Sequence, residues 1–375
     1  METTVTLEPE FWTDGSVWVG ESEHTPEGAG LAEFACHELK AKDWCFFKTS
    51  GSEGQAKWVG LTKQSLLASA AAVNAHFGIT AQDHWLLALP THHVGGFGIL
   101  ARAHLSGSAV TRLQGKWNAM AFVDACNTAR ATLVSLVPTQ LFDIVTARLA
   151  CPPSMRVVLV GGGALSPEIA QAAQALGWPV CRTYGMTETA SQVASQAQGG
   201  EDMEVLPIWD LSTDAEGVLT ICGSALAQGY AFQENGQWTW QPIPPETGLR
   251  TRDRVELWTQ GGKHLLRFIA REAGIVKILG ELVALGPIQE RIDSLRMQLG
   301  LLHGDAAVGD VPDARKEHAL VLIVSGMSDA DTARLQTALN AQLRPLEHIH
   351  QTRHVAAIPR SDLGKVRLAA LRVIL

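Results

Sequence analysis

The six cysteines, Cys36, Cys45, Cys126, Cys151, Cys181 and Cys222, include no C-x-x-C pair. Scattered thiols in a chain this long argue against a disulfide framework and fit reduced cysteines in a cytoplasm. Also missing is any apolar run near the roughly 18 residues that a membrane span requires. The N-terminus is acidic and polar, unlike an ordinary secretory signal. There is no block of like charge, and 30 Lys+Arg against 38 Asp+Glu give a net charge of −8. That balance argues against nucleic acid as the main partner, because phosphate neutralisation needs a basic surface. A small anionic ligand needs only a local positive site. A standard Walker loop is absent as well, since Lys57 follows Ala56 and precedes Trp58.

What is present is a 375-residue chain with 46% hydrophobic residues, enough to bury cores in two domains. A short helix is expected around residues 32–40. An apolar strand from Trp44 leads into a glycine loop and then a helix capped by Thr62. Strands are expected at 85–89, 109–113, 131–137, 157–160 and 180–183, with helices at 118–128, 139–149 and 167–176. This alternation implies an α/β architecture. After Gly200 shorter strands with Gly, Asp and Trp turns read as a smaller β-rich subdomain. From about residue 274 a compact α+β tail follows, with helices at 287–299 and 330–343 and strands at 306–308, 320–324 and 352–358.

Four stretches carry chemistry. Thr49-Ser50-Gly51-Ser52-Glu53-Gly54-Gln55-Ala56-Lys57 combines glycines, hydroxyls and a lysine, which suits either a phosphate nest or a solvated turn. Thr91-His92-His93-Val94-Gly95-Gly96-Phe97-Gly98 sets two histidines beside three glycines; in an extended chain the two rings would face opposite sides. Gly161-Gly162-Gly163 follows a β-branched strand, but lacks the third glycine of a dinucleotide fingerprint. Tyr184-Gly185-Met186-Thr187-Glu188-Thr189 stands at the carboxyl end of a strand, where α/β sheets place their sites, and its carboxylate is suited to a divalent cation. Asp253, between Arg252 and Arg254, reads most simply as a paired surface acid; acids elsewhere take ribose hydroxyls.

In this order the motifs resemble the acyl-adenylate-forming superfamily, and within it the 2-succinylbenzoate–CoA ligase branch of menaquinone and phylloquinone synthesis. Residues 49–57 look like its phosphate loop, 89–96 like its aromatic/His loop, and Gly161–Gly163 like its adenine-side turn. Tyr184 to Glu188 match its core, and Thr251-Arg252-Asp253 match in part. Residues 271–283 look like its hinge and the loop after it, and Pro359 to Lys365 like its lysine loop. Ser135-Leu136-Val137-Pro138-Thr139-Gln140 and Thr189-Ala190-Ser191-Gln192-Val193 point to the succinylbenzoate branch.

The resemblance implies a large N-terminal α/β adenylation domain over 1–270, shortened at its N-terminus, and a small mobile α+β lid over 271–375. It implies an ATP- and Mg²⁺-dependent ligase that joins a carboxylate to CoA through an acyl-AMP. Thr49, Ser50, Gly51, Ser52, Gly54 and Lys57 would hold the phosphates with Thr187. Gly161, Gly162, Gly163 and Tyr184 would face the adenine, and Asp253 and Arg271 the ribose. Glu188 would bind Mg²⁺. Lys365 would bridge carboxylate and α-phosphate, and His93 would line the acyl site with Ser135, Thr139 and Ser191. Lys277 and Gly280 would meet CoA after the lid turns.

Glu53 puts a carboxylate where the family has Thr in the phosphate loop, repulsive unless it points outward or pairs with Lys57. Arg252 replaces a Gly and Ala273 an Asp. Two alternatives stay open: transfer to a carrier protein in place of CoA, and a homologue that binds ATP without turnover. The oligomeric state is also open.

Overall fold

The computed structural model describes residues 7–20, 25–50, 56–197, 200, 202–313, 315–361, 364 and 366–375, the side chains of Ser50, Ala56 and Ala273 excepted. Strand β1 (Trp18–Val19) precedes helix α1 (Pro26–His37), and β2 (Trp44–Ser50) pairs antiparallel with β3 (Ala56–Thr62). The glycine stretch therefore joins two strands of a hairpin, not a strand and a helix. Helix α2 (Lys63–Phe77) follows at once, with the Thr62 hydroxyl accepting from Ser65 N, so the expected cap holds. Then come β4 (His84–Leu87), α3 (Val94–Ser106), β5 (Ala109–Arg112), α4 (Ala119–Ala129), β6 (Leu133–Leu136), α5 (Pro138–Thr146), β7 (Val157–Val160), α6 (Pro167–Ala175) and β8 (Val180–Tyr184).

Strands β5, β4, β6, β7 and β8 lie side by side and parallel in that order. Every residue of β6 and β7 is buried, as expected for parallel strands covered on both faces. Helix α3 falls where the sequence reads as a glycine-rich loop. The reason is close packing: a Cβ on Gly96 would lie 2.2 Å from the Pro90 carbonyl oxygen. Glycine lets the first turn of α3 press against the end of β4.

Beyond β8 the chain forms β9 (Ala194–Gln196), β10 (Met203–Val205), β11 (Trp209–Thr213), β12 (Val218–Gly223), β13 (Gly229–Glu234), β14 (Gln237–Pro242), β15 (Leu249–Gln260) and β16 (Lys263–Arg271). This β-rich part is continuous with the two large sheets. β8 pairs antiparallel with β9 and carries the sheet on to 11 strands, while β13 and β14 extend the β2–β3 hairpin into a 5-stranded sheet. Lys63, buried at the start of α2, clasps the N-terminal segment through Asp14 Oδ1 at 2.6 Å, Ser16 Oγ at 2.9 Å and the Phe11 carbonyl.

The remaining elements are β17 (Ile275–Ile278), β18 (Glu281–Ala284), α7 (Leu285–Gln298), β19 (Asp305–Asp313), β20 (Glu317–Ser325), α8 (Asp329–Asn340), β21 (Gln351–His354) and α9 (Leu368–Val373). Their sheet runs β18-β17-β20-β19, with β21 beside β20, over apolar clusters of its own that include Ile288, Ile292, Leu322 and Leu335. The short helix α9 was not foreseen; Leu371 anchors it in the core. Helix α7 meets the large sheet's coat: the Arg296 guanidinium lies 5.7 Å from the Phe142 ring, and Met297 packs beside that helix-coated core.

Candidate active site

Loops after parallel strands β4, β6, β7 and β8 leave the sheet at one edge, where open α/β sheets bind ligands. These loops and the helix starts that follow them carry His92 and His93, Thr139, Gly161 to Gly163, and Gly185 to Glu188. Two glycines there are dictated by contact. A Cβ on Gly161 would fall 2.2 Å from Thr183 Oγ1, and one on Gly185 1.7 Å from the Ser191 carbonyl oxygen. Gly162 has φ +76°, a left-handed conformation that favours glycine.

Asp253 is not a surface acid. It is fully buried, and its carboxylate accepts from Arg271 Nε at 2.6 Å, Arg271 Nη2 at 2.9 Å and the Tyr184 hydroxyl at 2.8 Å. The pairing of β15 with β16 sets Asp253 directly opposite Arg271. The bonds from Asp253 hold the Arg271 guanidinium above its ordinary range. Burial, reinforced by Asp253, pushes the Tyr184 phenol far up, so it stays a neutral donor. With about four acceptor sites on a carboxylate, three bonds leave room for a ligand hydroxyl. Phe268, which the sequence reading missed, places its ring 5.9 Å from that of Tyr184.

A second group forms where the two large sheets meet. Lys57 Nζ lies 3.0 Å from Glu188 Oε1, and the Tyr230 hydroxyl donates to the same oxygen at 3.2 Å. The Glu188 main chain is tied too, its carbonyl accepting from Ala227 N at 2.8 Å. Thr49 pairs with Lys57 across the hairpin. Gly51, Ser52, Glu53 and Gly54 lie outside the described residues, as does the side chain of Ser50. Thr187 is half-buried in the 3-10 turn Thr187–Thr189 beside Glu188. Mg²⁺ takes one or two carboxylates and completes its shell with substrate phosphates and water. A lone Glu188 carboxylate beside a lysine fits that donor set; among the described residues no group of three or more His, Cys, Asp or Glu could hold a metal.

On the third side the His92 and His93 rings lie 4.3 Å apart, contrary to the expectation of opposite faces. The chain turns there, His93 N donating to Pro90 O, so alternation does not apply. Arg102 of α3 is buried, and its Nη2 donates to Ser191 Oγ at 2.6 Å. No carboxylate pairs with it among the described residues, and burial lowers its pKa to about 10. The sequence reading did not single it out; its one signal is a lone arginine in a mostly apolar helix. Ser135 Oγ is buried without a hydrogen-bond partner among the described residues. Thr139 meets the C-terminal loop, where a Cβ on Gly364 would lie 2.5 Å from Thr139 Oγ1. Lys365 itself lies outside the described residues. Lys277 and Gly280 are not part of this gathering: in the β17–β18 hairpin both contact Glu317, at 3.6 and 3.2 Å.

The model of the AMP-binding enzyme family matches residues 13–231. The chain belongs to the AMP-binding enzyme family. Among curated relatives of this AMP-binding enzyme, the 2-succinylbenzoate–CoA ligase of Enterococcus faecalis is 26% identical over 337 residues, 85% of this chain and 67% of that protein. The probable 2-succinylbenzoate–CoA ligase of Mycobacterium tuberculosis is 29% identical over 86% of this chain and 82% of its own. The Bacillus subtilis ligase is 34% identical, but only 40% of its length is matched. The o-succinylbenzoate CoA synthetase of Bacillus subtilis, solved with its acyl-adenylate intermediate, superposes with a TM-score of 0.74 at 21% identity, covering 87% of this chain and 68% of that one. Its complex with ATP and magnesium gives 0.70, with 87% and 69% covered. These structures establish the adenylate-forming fold.

Proposed function

We propose that this AMP-binding enzyme is an ATP-dependent carboxylate–CoA ligase acting through an acyl-AMP, with 2-succinylbenzoate as its acid. The observation that carries the reading is the convergence of Lys57 on Glu188, and of Tyr184 and Arg271 on Asp253, at the strand ends beside a buried Arg102. The first step brings two anions together, so positive charge and fixed donors are its main demand. Asp253 and Arg271 take the ribose, and adenine lies between the Gly161–Gly163 turn and the rings of Tyr184 and Phe268. Lys57, Thr49, Ser50, Thr187 and the rest of the hairpin loop hold the phosphates. Glu188 would hold Mg²⁺, which supplies neutralising charge on those phosphates.

The acid's carboxylate attacks the α-phosphorus, pyrophosphate leaves, and the thiol of CoA then displaces AMP. His93, Ser135, Thr139 and Ser191 line the acyl side. A buried arginine without a counter-charge among the described residues supports an acid with a second carboxylate, which 2-succinylbenzoate carries. Lys365 bridges carboxylate and α-phosphate. Residues 271–375 form a lid that turns between steps, withdrawing Lys365 and bringing Lys277 and Gly280 toward the thiol. Cysteines without disulfides support a reducing, cytoplasmic setting. Among the described residues no helix is long and apolar enough to cross a membrane.

The test is ATP–pyrophosphate exchange driven by 2-succinylbenzoate against a panel of aryl and fatty acids. Exchange with 2-succinylbenzoate and product formation with CoA are expected. No acid-dependent exchange across the panel would sink the ligase reading, and product formation only with a carrier phosphopantetheine would change the acceptor.

A further inference from the structure

We propose that Tyr230 is a positioning residue of the nucleotide site, one that parks the Lys57 ammonium on its ring and aims the Glu188 carboxylate so that Oε2 is left for the metal. The inference rests on the ATP-dependent reading above. Its first support is a convergence: the Lys57 ammonium and the Tyr230 hydroxyl both take Glu188 Oε1, at 3.0 and 3.2 Å. Oε2 accepts no hydrogen bond among the described residues. A carboxylate pinned through one oxygen by two donors presents the other in a fixed direction.

The second support is the ring itself. Lys57 Nζ stands 3.7 Å from the centroid of Tyr230, where the negative face of the ring attracts a cation. The lysine is thus held by two different interactions with Tyr230 and Glu188. When phosphate draws the ammonium off Oε1, the Tyr230 hydroxyl still holds the carboxylate, so Glu188 keeps its aim.

The third support is rigidity. Tyr230 lies in β13 with a strand on either side, opposite Val59 of β3 and Gln241 of β14. The chain just before it fixes the main chain of Glu188 through Ala227 N. One short segment therefore holds both the backbone and the side chain of the metal-site carboxylate. Such outer partners typically govern metal affinity by about 10- to 100-fold.

Two variants separate the ring from the hydroxyl. ATP binding is measured by calorimetry over a series of Mg²⁺ concentrations and in EDTA, with neither acid nor CoA present. Tyr230→Phe is expected to raise the Mg²⁺ concentration for half-maximal ATP binding by about tenfold and to leave binding in EDTA unchanged. Tyr230→Leu is expected to show the same shift and also weaker ATP binding in EDTA, because Lys57 loses its ring. A Tyr230→Phe protein with an unshifted Mg²⁺ midpoint overturns the proposal, and a lower melting temperature with that same midpoint marks a merely structural tyrosine. Failure of the ATP-dependent reading looks different: the unaltered protein binds no ATP at all, and both inferences fall.

Discussion

Asp253 and Arg102 bury charge in opposite ways. Asp253 has both oxygens taken by Arg271 and Tyr184, so its partners are left stranded when it changes. Asp253→Asn should destabilise the protein by about 1–3 kcal/mol, the cost of leaving a partly buried charged partner unsatisfied, and denaturant melts would read it. The double variant Asp253→Asn/Arg271→Gln should lose less than the sum of the singles, because the two residues share one interaction. Arg102 has no acidic partner among the described residues, so its substitution should be felt by the substrate more than by the fold. Arg102→Gln should cost about 2–5 kcal/mol in binding a second carboxylate, raising KM for 2-succinylbenzoate about 30-fold or more. An aryl acid without that group should be unaffected; an equal rise for both acids would remove Arg102 from substrate recognition. Tyr184 and Glu188 stood out because both stand in a short stretch of distinctive order, whereas Asp253 between two arginines read from the residues alone as a surface acid. Arg102, Phe268 and Tyr230 did not stand out, since they reach the site from separate elements and only the folded chain brings them together.

Among the elements, those set by apolar runs and caps were read to within a few residues, as β7 and the Thr62-capped α2 show. The misreading of α3 has a clear cause: glycine looks like loop in a sequence, whereas here it also serves close packing. Gly96 admits α3 against β4, and Gly364 admits the C-terminal loop against Thr139. Gly364 makes a sharp test, because its φ is +74° and its missing Cβ would strike the Thr139 side chain. Gly364→Ala should slow acyl-AMP formation at least several-fold by lifting the lysine loop, with little effect on thioester formation from supplied acyl-AMP. Adding Thr139→Ala should restore part of the loss by removing Oγ1 and Cγ2. The backbone strain, about 1–2 kcal/mol for a non-glycine residue in this region, should remain. Pre-steady-state measurement of acyl-AMP in the three variants checks this, and no rescue would mean the contact does not control the loop.

At the scale of the molecule, the meeting of α7 with the helices of the large sheet is a titratable contact. Burial pushes the Glu290 carboxyl up to about 7; Arg182 and Arg291 pull against this, while Asp293 and Glu168 add to it. Arg182 and Glu168 belong to the opposite side of the contact, so parting the two surfaces returns Glu290 toward an ordinary carboxyl pKa of about 4.3. The docked form therefore holds more protons between those two values. Docking is fully favoured below about 4.3, weakens as the pH climbs, and loses this contribution above about 7. Asp293 behaves differently. Burial raises it to about 6, but the Gln289 bond and the charges of Arg296, Arg360 and Asp305 that act on it lie on its own side of the contact. Its titration should thus appear in the melting of residues 271–375 more than in their placement. Small-angle scattering from pH 5.5 to 8.5 should show the radius of gyration growing with pH as residues 271–375 part from the helices of the large sheet. Glu290→Gln, which stays neutral throughout, should flatten that dependence and keep the compact form at high pH. A wild-type radius that does not change across the range would show that this contact does not sense protons.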